Sequence, residues 1–181
     1  MEKKVLLLVF LFSFLNLFNY CKCPPERYFD YKSLIVKAEK TFISSNDRLM
    51  LRIGIAEIEY LVKSTNYVGF GGYAYATSVC NKGYDGEKYP IVKIYVSSNS
   101  DFNDNYLAGN ELIDLIKVYG RNSNGDYIFG YLKDFSIKDI NPWYLYIEER
   151  PTISKKHTFT IKFEKSNGEI VYGISPEVLW E

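Results

Sequence analysis

The sequence offers few side chains of the kind that enzymes use for acid–base chemistry. His157 is its single histidine, and it follows Lys155 and Lys156 in a segment typical of a turn before a strand. An imidazole can serve as a general base. We nevertheless expect an exposed surface histidine, whose protonation the neighbouring positive charge disfavours. A serine hydrolase of the nucleophile-elbow type lacks support, because no Gly-x-Ser-x-Gly motif occurs.

Acidic residues occur in two close pairs, Glu57/Glu59 and Glu148/Glu149. The first pair would point from one face of a strand, which suits solvent exposure as well as catalysis. A glycosidase needs two acids on either side of a sugar bond, and spacing along the chain does not reveal that arrangement. The sequence therefore predicts no catalytic residues, and we expect that the protein is not an enzyme.

Residues 101–105 (Asp-Phe-Asn-Asp-Asn) begin like a calcium-binding loop. That loop needs glycine at its sixth position and a bidentate glutamate at its twelfth, where this chain has Tyr106 and Leu112. We expect a polar turn that precedes a helix, with weak calcium binding by a non-standard loop as the alternative. A zinc site is disfavoured by the cysteine spacing and the single histidine. We predict neither a metal nor a cofactor.

Residues 69–72 (Gly-Phe-Gly-Gly) are rich in glycine but lack the Lys-Ser/Thr of a phosphate-binding loop. Glycines beside aromatic residues favour a strand with a bulge. The aromatic residues of this stretch could form an exposed strip that binds a sugar or a protein. These candidate ligand-binding residues are Tyr67, Phe70, Tyr73 and Tyr75.

Residues 1–20 have the pattern of a secretory signal peptide. Lys3 and Lys4 precede an almost wholly apolar run over residues 5–18, as in the charged and apolar regions of such signals. The run is shorter than the roughly 20 residues that span a bilayer. We therefore predict export, with a single β-rich domain over residues 21–181. A permanent N-terminal anchor helix is the alternative.

Cys21, which ends the apolar run, resembles the lipid-attachment cysteine of bacterial lipoproteins. A lipid on this thiol would hold a soluble domain at a membrane surface. The preceding Tyr20 is larger than the residue usual at that position. Export would place Cys23 and Cys80 in an oxidising compartment, where they could form a disulfide. Two separate free thiols are the alternative.

The charge balance excludes one broad class of partner. The chain has 22 Lys+Arg and 22 Asp+Glu, and removal of residues 1–20 would leave a net charge of about −1. A general nucleic-acid binder would show a basic excess, so we expect no nucleic-acid partner. Aromatic residues make up 17% of the chain, a composition that suits strands and interfaces.

Alternating apolar residues predict several strands. They occur over residues 51–55, where the apolar phase then shifts and indicates a bulge, and again over residues 92–96 and 159–163. Asn167-Gly168 lies between two alternating runs and predicts a hairpin with a two-residue turn. That turn would set Phe163 opposite Tyr172, and Ile161 opposite Ile174, on one face.

One short helix is expected over residues 112–119, where apolar residues recur at helical spacing after Gly109-Asn110. Many short strands separated by turns are typical of a sandwich or a barrel. We predict a mainly β fold, a single antiparallel domain that is sandwich-like (immunoglobulin-like) or barrel-like, with that one helix.

Residues 73–80, 91–97 and 100–103, followed by Ala108-Gly109-x-x-Leu112, form a pattern that covers most of the chain after residue 20. It resembles a family of uncharacterised Bacteroidetes lipoproteins, classed as a domain of unknown function. Their cysteine-rich mature N-terminus is similar to Cys21-Lys22-Cys23-Pro24. The resemblance implies membrane attachment in the bacterial cell envelope, on an outer-membrane or periplasm-facing lipoprotein, and it implies no activity.

Three functions remain open at this point. The first is a non-enzymatic accessory module, lipid-anchored to the membrane, that binds a protein or a glycan through aromatic residues. The second is a structural or adhesive surface subunit that adds a strand to its partner. The third is an unrecognised hydrolase. An exposed aromatic patch away from sheet edges would favour the first. A long unprotected edge strand would favour the second, and acids converging in a deep pocket would favour the third.

Overall fold

Alternating apolar residues place strands along most of the chain in the computed structural model, which describes residues 26–62, 81–121, 125–137 and 143–181. The fold is mainly β, as predicted, and its largely antiparallel sheets are sandwich-like and do not close into a barrel. The strands are β1 (Glu26–Ala38), β2 (Phe42–Ile43), β3 (Leu49–Val62), β4 (Ile91–Ser98), β5 (Ile116–Arg121), β6 (Tyr127–Tyr131), β7 (Tyr144–Ile147), β8 (Lys156–His157), β9 (Phe159–Lys165), β10 (Ile170–Ile174) and β11 (Val178–Trp180).

These strands form three sheets. The largest has the order β1-β3-β7-β5-β6, and the two smaller ones have the orders β10-β9-β4 and β2-β11-β8. The described pairings are antiparallel except for that of β2 with β11. Among the strands that the structure describes, β6 and β10 lie at the ends of their sheets and each have one edge without a partner strand. Such an edge can pair with another chain.

Most core side chains come from one side of a strand, although β7 buries both sides. Phe159, Ile161 and Phe163 of β9 are fully buried, while Lys162 between them is exposed, which confirms the alternation predicted there. Leu49, Leu51 and further buried side chains of β3 and β7 continue the same apolar layer in the largest sheet. Burial of these side chains is the main favourable term in folding.

The hairpin between β9 and β10 forms where it was predicted, but its predicted register is wrong by one residue. Phe163 pairs with Val171 rather than with Tyr172. Lys165 N donates to Glu169 O and Gly168 N donates to Lys165 O, so the loop has three residues. Gly168 adopts a left-handed φ of 82°, as in a type I turn followed by a glycine bulge. The extra loop residue turns every side chain of β10 to the other face.

This register leaves an apolar row in solvent. Val171 is buried under Phe163, whereas Ile170, Tyr172 and Ile174 are each more than half exposed. The prediction that Tyr172 and Ile174 share one face with Phe163 and Ile161 is therefore wrong. Hydrophobic patterning did not reveal the error, because both faces of β10 carry apolar side chains.

The predicted helix over residues 112–119 is also wrong. A three-residue 3-10 helix, Ile113–Leu115, leads directly into strand β5. Ile116 and Val118 point into the core while Tyr119 is exposed, so the spacing that resembled a helical face belongs to a turn joined to a strand. A second 3-10 helix, Leu132–Asp134, follows β6.

Strand β4 contains a bulge near its start. Ile91 pairs with Lys165 and Lys93 pairs with the preceding Glu164, so Val92 is the additional residue. Val92 is consequently exposed, although the sequence pattern grouped it with Ile94 and Val96, which are buried. Strand β3, by contrast, runs without a break across its predicted phase shift.

Strand β10 lies very close to β1. A Cβ atom added to Gly173 would be 2.8 Å from both the carbonyl oxygen of Leu34 and Cγ2 of Val36. Only glycine permits this approach, because real Cβ atoms do not tolerate such distances from backbone. Gly173 therefore fixes how closely these two strands approach.

The chain divides into two compact units. The first comprises Met1–Asp30 and Tyr60–Lys88, in which Arg27 and Asp85 form an ion pair of 2.8 Å and Phe29 N donates to Gly86 O. The second comprises Tyr31–Glu59 and Tyr89–Glu181. The second unit contains the site described below.

Candidate functional site

Several residues predicted to be functional lie outside the described residues, and their predictions stay open. These are the signal segment 1–20, the lipid-attachment residue Cys21, the disulfide candidates Cys23 and Cys80, and the aromatic candidates Tyr67, Phe70, Tyr73 and Tyr75.

His157 is buried, so the prediction of an exposed surface histidine is wrong. Its side chain has no exposed area, and its ring lies 5.4 Å from that of Phe102, 5.2 Å from that of Trp180 and 5.9 Å from that of Phe159. Alternation across β8 and β9 turns the histidine inward, because the short strand β8 pairs with β11 in the core. Lys155 and Lys156 suggested that the whole segment is exposed to solvent. Only the lysine side chains are exposed, and His157 is buried.

The hydrogen bonds of His157 define its tautomer. Nε2 lies 2.8 Å from the carbonyl oxygen of Ser154, which can only accept, so Nε2 carries the proton. Nδ1 then accepts from Ser98 Oγ at 2.7 Å. Burial lowers the pKa of His157 below its usual value, although the bond to Ser154 acts in the opposite direction. A hydrogen-bonded serine and histidine can form part of a nucleophilic catalytic site. Here both side chains are buried, so a substrate cannot reach them and their hydrogen bond stabilises the core.

The polar turn predicted at residues 101–105 is present. Asn103 Oδ1 accepts from the backbone N–H groups of Asn105 and Tyr106, and Asp101 Oδ1 accepts from that of Ala108. These side chains cap their own turn. Within the described ranges, no group of three or more His, Cys, Asp or Glu side chains is arranged to hold a metal ion.

A cluster of aromatic side chains covers the outer face of β5, β6 and β7. Alternation turns Ile116 and Val118 of β5 inward and Tyr119 outward, while β6 exposes every second residue. Cross-strand pairing sets Tyr119 against Phe129 and Lys117 against both Tyr131 and Tyr146. We call this surface the aromatic face; its rings are Tyr119, Tyr127, Phe129, Tyr131, Tyr144 and Tyr146. The rings from β5 and β6 are exposed, whereas Tyr144 is half-buried and Tyr146 is buried beneath its neighbours.

The rings of the aromatic face touch one another. Tyr119 and Tyr127 stack with centroids 5.9 Å apart and an interplanar angle of 17°. Phe129 meets Tyr146 edge-on at 6.0 Å and 74°. Such contacts restrict ring motion and hold the rings in the positions that the strands give them.

Cationic side chains lie over these rings. Arg48 Cζ is 4.8 Å from the ring centroid of Tyr146, and Arg52 Cζ is 5.9 Å from that of Tyr144. Lys117 Nζ is 4.9 Å from the centroid of Tyr131. These are cation–π distances, so the aromatic face carries positive charge as well as apolar area.

Two cavities adjoin on this side of the second unit. The aromatic cavity, of about 400 Å³, is lined by Arg48, Tyr119, Phe129 and Tyr146. The polar cavity, of about 680 Å³, shares Arg48 and Tyr146 with it. Both volumes lie within the range of small-molecule sites. The remaining residues that line the polar cavity are Glu39, Lys40, Ser45, Asn46, Asp47, Met50, Glu148 and Arg150.

Two acids of the polar cavity, Asp47 and Glu148, are paired with cations. The pKa of Asp47 is lowered by hydrogen bonds from Lys40 and Ser44, each of 2.8 Å. Glu148 accepts a short hydrogen bond from Lys117, which raises the pKa of that lysine. The hydrogen bonds from Lys40 and Ser44 thus favour the carboxylate form of Asp47. The other predicted pair, Glu57 and Glu59, is exposed on β3.

The aromatic face was missed at the level of sequence, although its signals are present. Tyr127, Phe129 and Tyr131 alternate as a strand with one aromatic side requires. Tyr119 was assigned to the predicted helix, which removed it from any sheet. Prediction of a shared face also needs the order of β7, β5 and β6, and this order brings together segments that are separate in the chain.

No protein family, curated protein or solved structure matches the chain. Among the described residues, no helix has the length and apolar character required to cross a bilayer.

Proposed function

We propose that this chain is an exported, lipid-anchored cell-envelope protein whose aromatic face binds glycans without catalysing their turnover. The observation that carries the proposal is the grouping of exposed rings on the neighbouring strands β5 and β6, beside two adjoining cavities. These rings are Tyr119, Tyr127, Phe129 and Tyr131. Exposed apolar area of this kind marks interaction sites on soluble domains.

The chemistry of the surface suits a sugar. A pyranose ring presents C–H groups on its faces and hydroxyl groups around its edge. Tyr119 and Phe129 offer apolar ring surface, while Glu148, Asp47 and Arg48 offer hydrogen-bonding groups in the adjoining cavity. Ligand-binding sites usually combine a mainly apolar wall with a small number of polar groups. Strands hold these rings in place before binding, which lowers the entropic cost of association.

The cation partners of Asp47 and Glu148 support binding over hydrolysis. A general acid that protonates a leaving sugar needs a raised pKa. The pKa of Asp47 is instead lowered by Lys40, and Glu148 pairs with both Lys117 and Arg48. These groups favour a binding site over an unrecognised hydrolase.

Attachment to the envelope is supported by the sequence. The charged and apolar pattern of residues 1–20, the position of Cys21 and the resemblance to Bacteroidetes lipoproteins all favour a lipid anchor on a secreted domain. A disulfide between Cys23 and Cys80 is part of the same proposal, because export provides the oxidising compartment.

A glycan array tests the binding proposal. The protein is expressed from its full sequence, purified from the bacterial envelope, and compared with Phe129→Ala and with the control Tyr172→Ala, which removes an exposed ring from β10. We expect binding to at least one glycan class, reduced about tenfold by Phe129→Ala and unchanged by the control. Absence of glycan binding, or equal binding by all three proteins, would contradict the proposal.

The same samples test the non-enzymatic part. We expect no release of shorter sugars from any bound glycan after prolonged incubation. Release that the wild type supports and Glu148→Gln abolishes would establish a hydrolase instead.

A second candidate function rests on β10. This end strand of its sheet exposes Ile170, Tyr172 and Ile174 in one row, which favours strand addition to a partner. Charge on such an edge opposes pairing. A Tyr172→Lys variant should therefore lose an envelope partner that chemical cross-linking captures with the wild type, and equal capture by both proteins would exclude this candidate.

A further inference from the structure

We propose that the glycan bound at the aromatic face is acidic, with a sugar carboxylate held by Arg48 at the junction of the two cavities. This inference rests on the proposed function and specifies the chemical class of its ligand.

Arg48 occupies the junction itself. It lines both the aromatic and the polar cavity, its side chain is 56% exposed, and its guanidinium lies over the ring of Tyr146. The guanidinium thus contacts the Tyr146 ring while more than half of the side chain remains accessible to solvent. A sugar that stacks on the rings of the aromatic cavity would place its substituents beside this guanidinium.

The other cations that line the polar cavity, Lys40 and Arg150, and Lys117, which binds its Glu148, already donate to acceptors. Lys117 donates to Glu148, and Lys40 donates to Asp47 at 2.8 Å. Arg150 donates to the backbone oxygen of Ser44 at 2.7 Å. These groups hold the walls of the cavity together and leave ligand binding to another cation.

Arg48 is held less tightly. Its ion pair with Glu148 Oε1 spans 3.7 Å, which is longer than a hydrogen bond. Since Glu148 is engaged more closely by Lys117, a ligand carboxylate can take the place of Glu148 beside Arg48 at little cost. Guanidinium matches a planar carboxylate with two parallel hydrogen bonds.

The charge around the aromatic face complements an anionic chain. Arg48, Arg52 and Lys117 lie over its rings, and Lys133 lies 5.6 Å from the centroid of Tyr131. Arg48 and Arg52 are four residues apart in or beside one strand, which is about 13 Å of extended chain. A ligand of several uronic acid units would reach both guanidinium groups, whereas a single sugar would reach one.

Calorimetric titration with a galacturonic acid hexamer tests this inference, with its methyl-ester form as the matched neutral ligand. We expect the ester to bind about tenfold more weakly, and Arg48→Gln to lose about tenfold affinity for the acid form only. Arg48→Lys should recover part of the loss. The control Lys156→Gln removes the same charge from an exposed site on β8, and it should stay within roughly twofold of the wild type.

Three results would overturn the inference, and the first of them separates it from the proposed function. Equal binding of acid and ester, still sensitive to Phe129→Ala, would leave glycan binding intact and remove the acidic preference. Dextran sulfate that binds as tightly as the galacturonic acid hexamer, with an affinity that Arg48→Gln does not change, would indicate a general attraction of anions. Failure to bind any glycan would remove both proposals together.

Discussion

The buried side chain of His157 makes the free energy of unfolding depend on pH. In the unfolded chain it takes up a proton near pH 6.5, whereas burial lowers its pKa in the folded protein. The unfolded state therefore binds more protons between these two pKa values. It follows that the folded state loses stability as the pH falls below about 6.5.

We expect urea unfolding at pH 7.5, 6.5 and 5.5 to give a decreasing free energy of unfolding for the wild type. His157→Gln keeps a donor and an acceptor but does not titrate, so its free energy should be nearly constant over this range. The comparison is clean because the chain has one histidine. Parallel pH curves for both proteins would mean that His157 does not control this window.

Lys165 shows why the burial of a single residue is hard to predict from sequence. Its side chain is fully buried, and its Nζ donates to Tyr31 O, pairs with Glu169 Oε2 at 3.3 Å and lies 4.8 Å from the Tyr31 ring centroid. A buried charge requires partners of this kind. Alternation along β9 predicts that the side chain of residue 165 points into the core, whereas a lysine is expected to point into solvent. The side chain is buried because Tyr31 of β1 and Glu169 of the hairpin loop supply partners for its charge.

Gly173 is the element-level contact that sets the approach of β10 to β1. We expect Gly173→Ala to lower the free energy of unfolding by about 1–3 kcal/mol, because the new Cβ would overlap Leu34 O and Val36 Cγ2. The matched control is Gly54→Ala on β3, where a Cβ would meet nothing within 4 Å. That variant should be neutral or slightly more stable. Similar denaturation midpoints for the two variants would contradict the close approach.

Strands with one apolar side were predictable from sequence, and strands with two were not. Phe159, Ile161 and Phe163 alternate with polar residues, so burial follows directly from the pattern. On β10 either Val171 or the pair Ile170 and Tyr172 could face the core. The three-residue loop that ends at Gly168 sets the register in which Val171 is buried. Loop length is set by hydrogen bonds within the turn, which the Asn-Gly pair alone does not determine.

The candidate site was less predictable than the fold for a related reason. Its rings come from β5, β6 and β7, and the segment carrying Tyr119 had the spacing of a helix. A binding face depends on which strands are neighbours, and strand order is a property of tertiary structure. The sequence indicated aromatic binding in general but placed it at residues 67–75, a stretch outside the described residues.

At the level of the whole molecule, the central expectation is attachment to a membrane through Cys21. Mass spectrometry of the protein isolated from membranes should show a chain that begins at Cys21 and carries a diacyl or triacyl mass. An intact Met1, or cleavage at another residue, would contradict this expectation. Alkylation with and without reductant in the same samples should show Cys23 and Cys80 protected until reduction, and two thiols that react freely would exclude the disulfide.

Hydroxyl-radical footprinting with the best-bound oligosaccharide of the array tests most directly whether the aromatic face is the glycan site. We predict that the ligand protects Tyr119, Phe129 and Tyr131 from oxidation and leaves Tyr172 on β10 unaffected. The same protection should be absent in Phe129→Ala at an equal ligand concentration. Protection confined to β10, or to the aromatic residues between positions 67 and 75, would contradict the assignment and move the binding site to another surface.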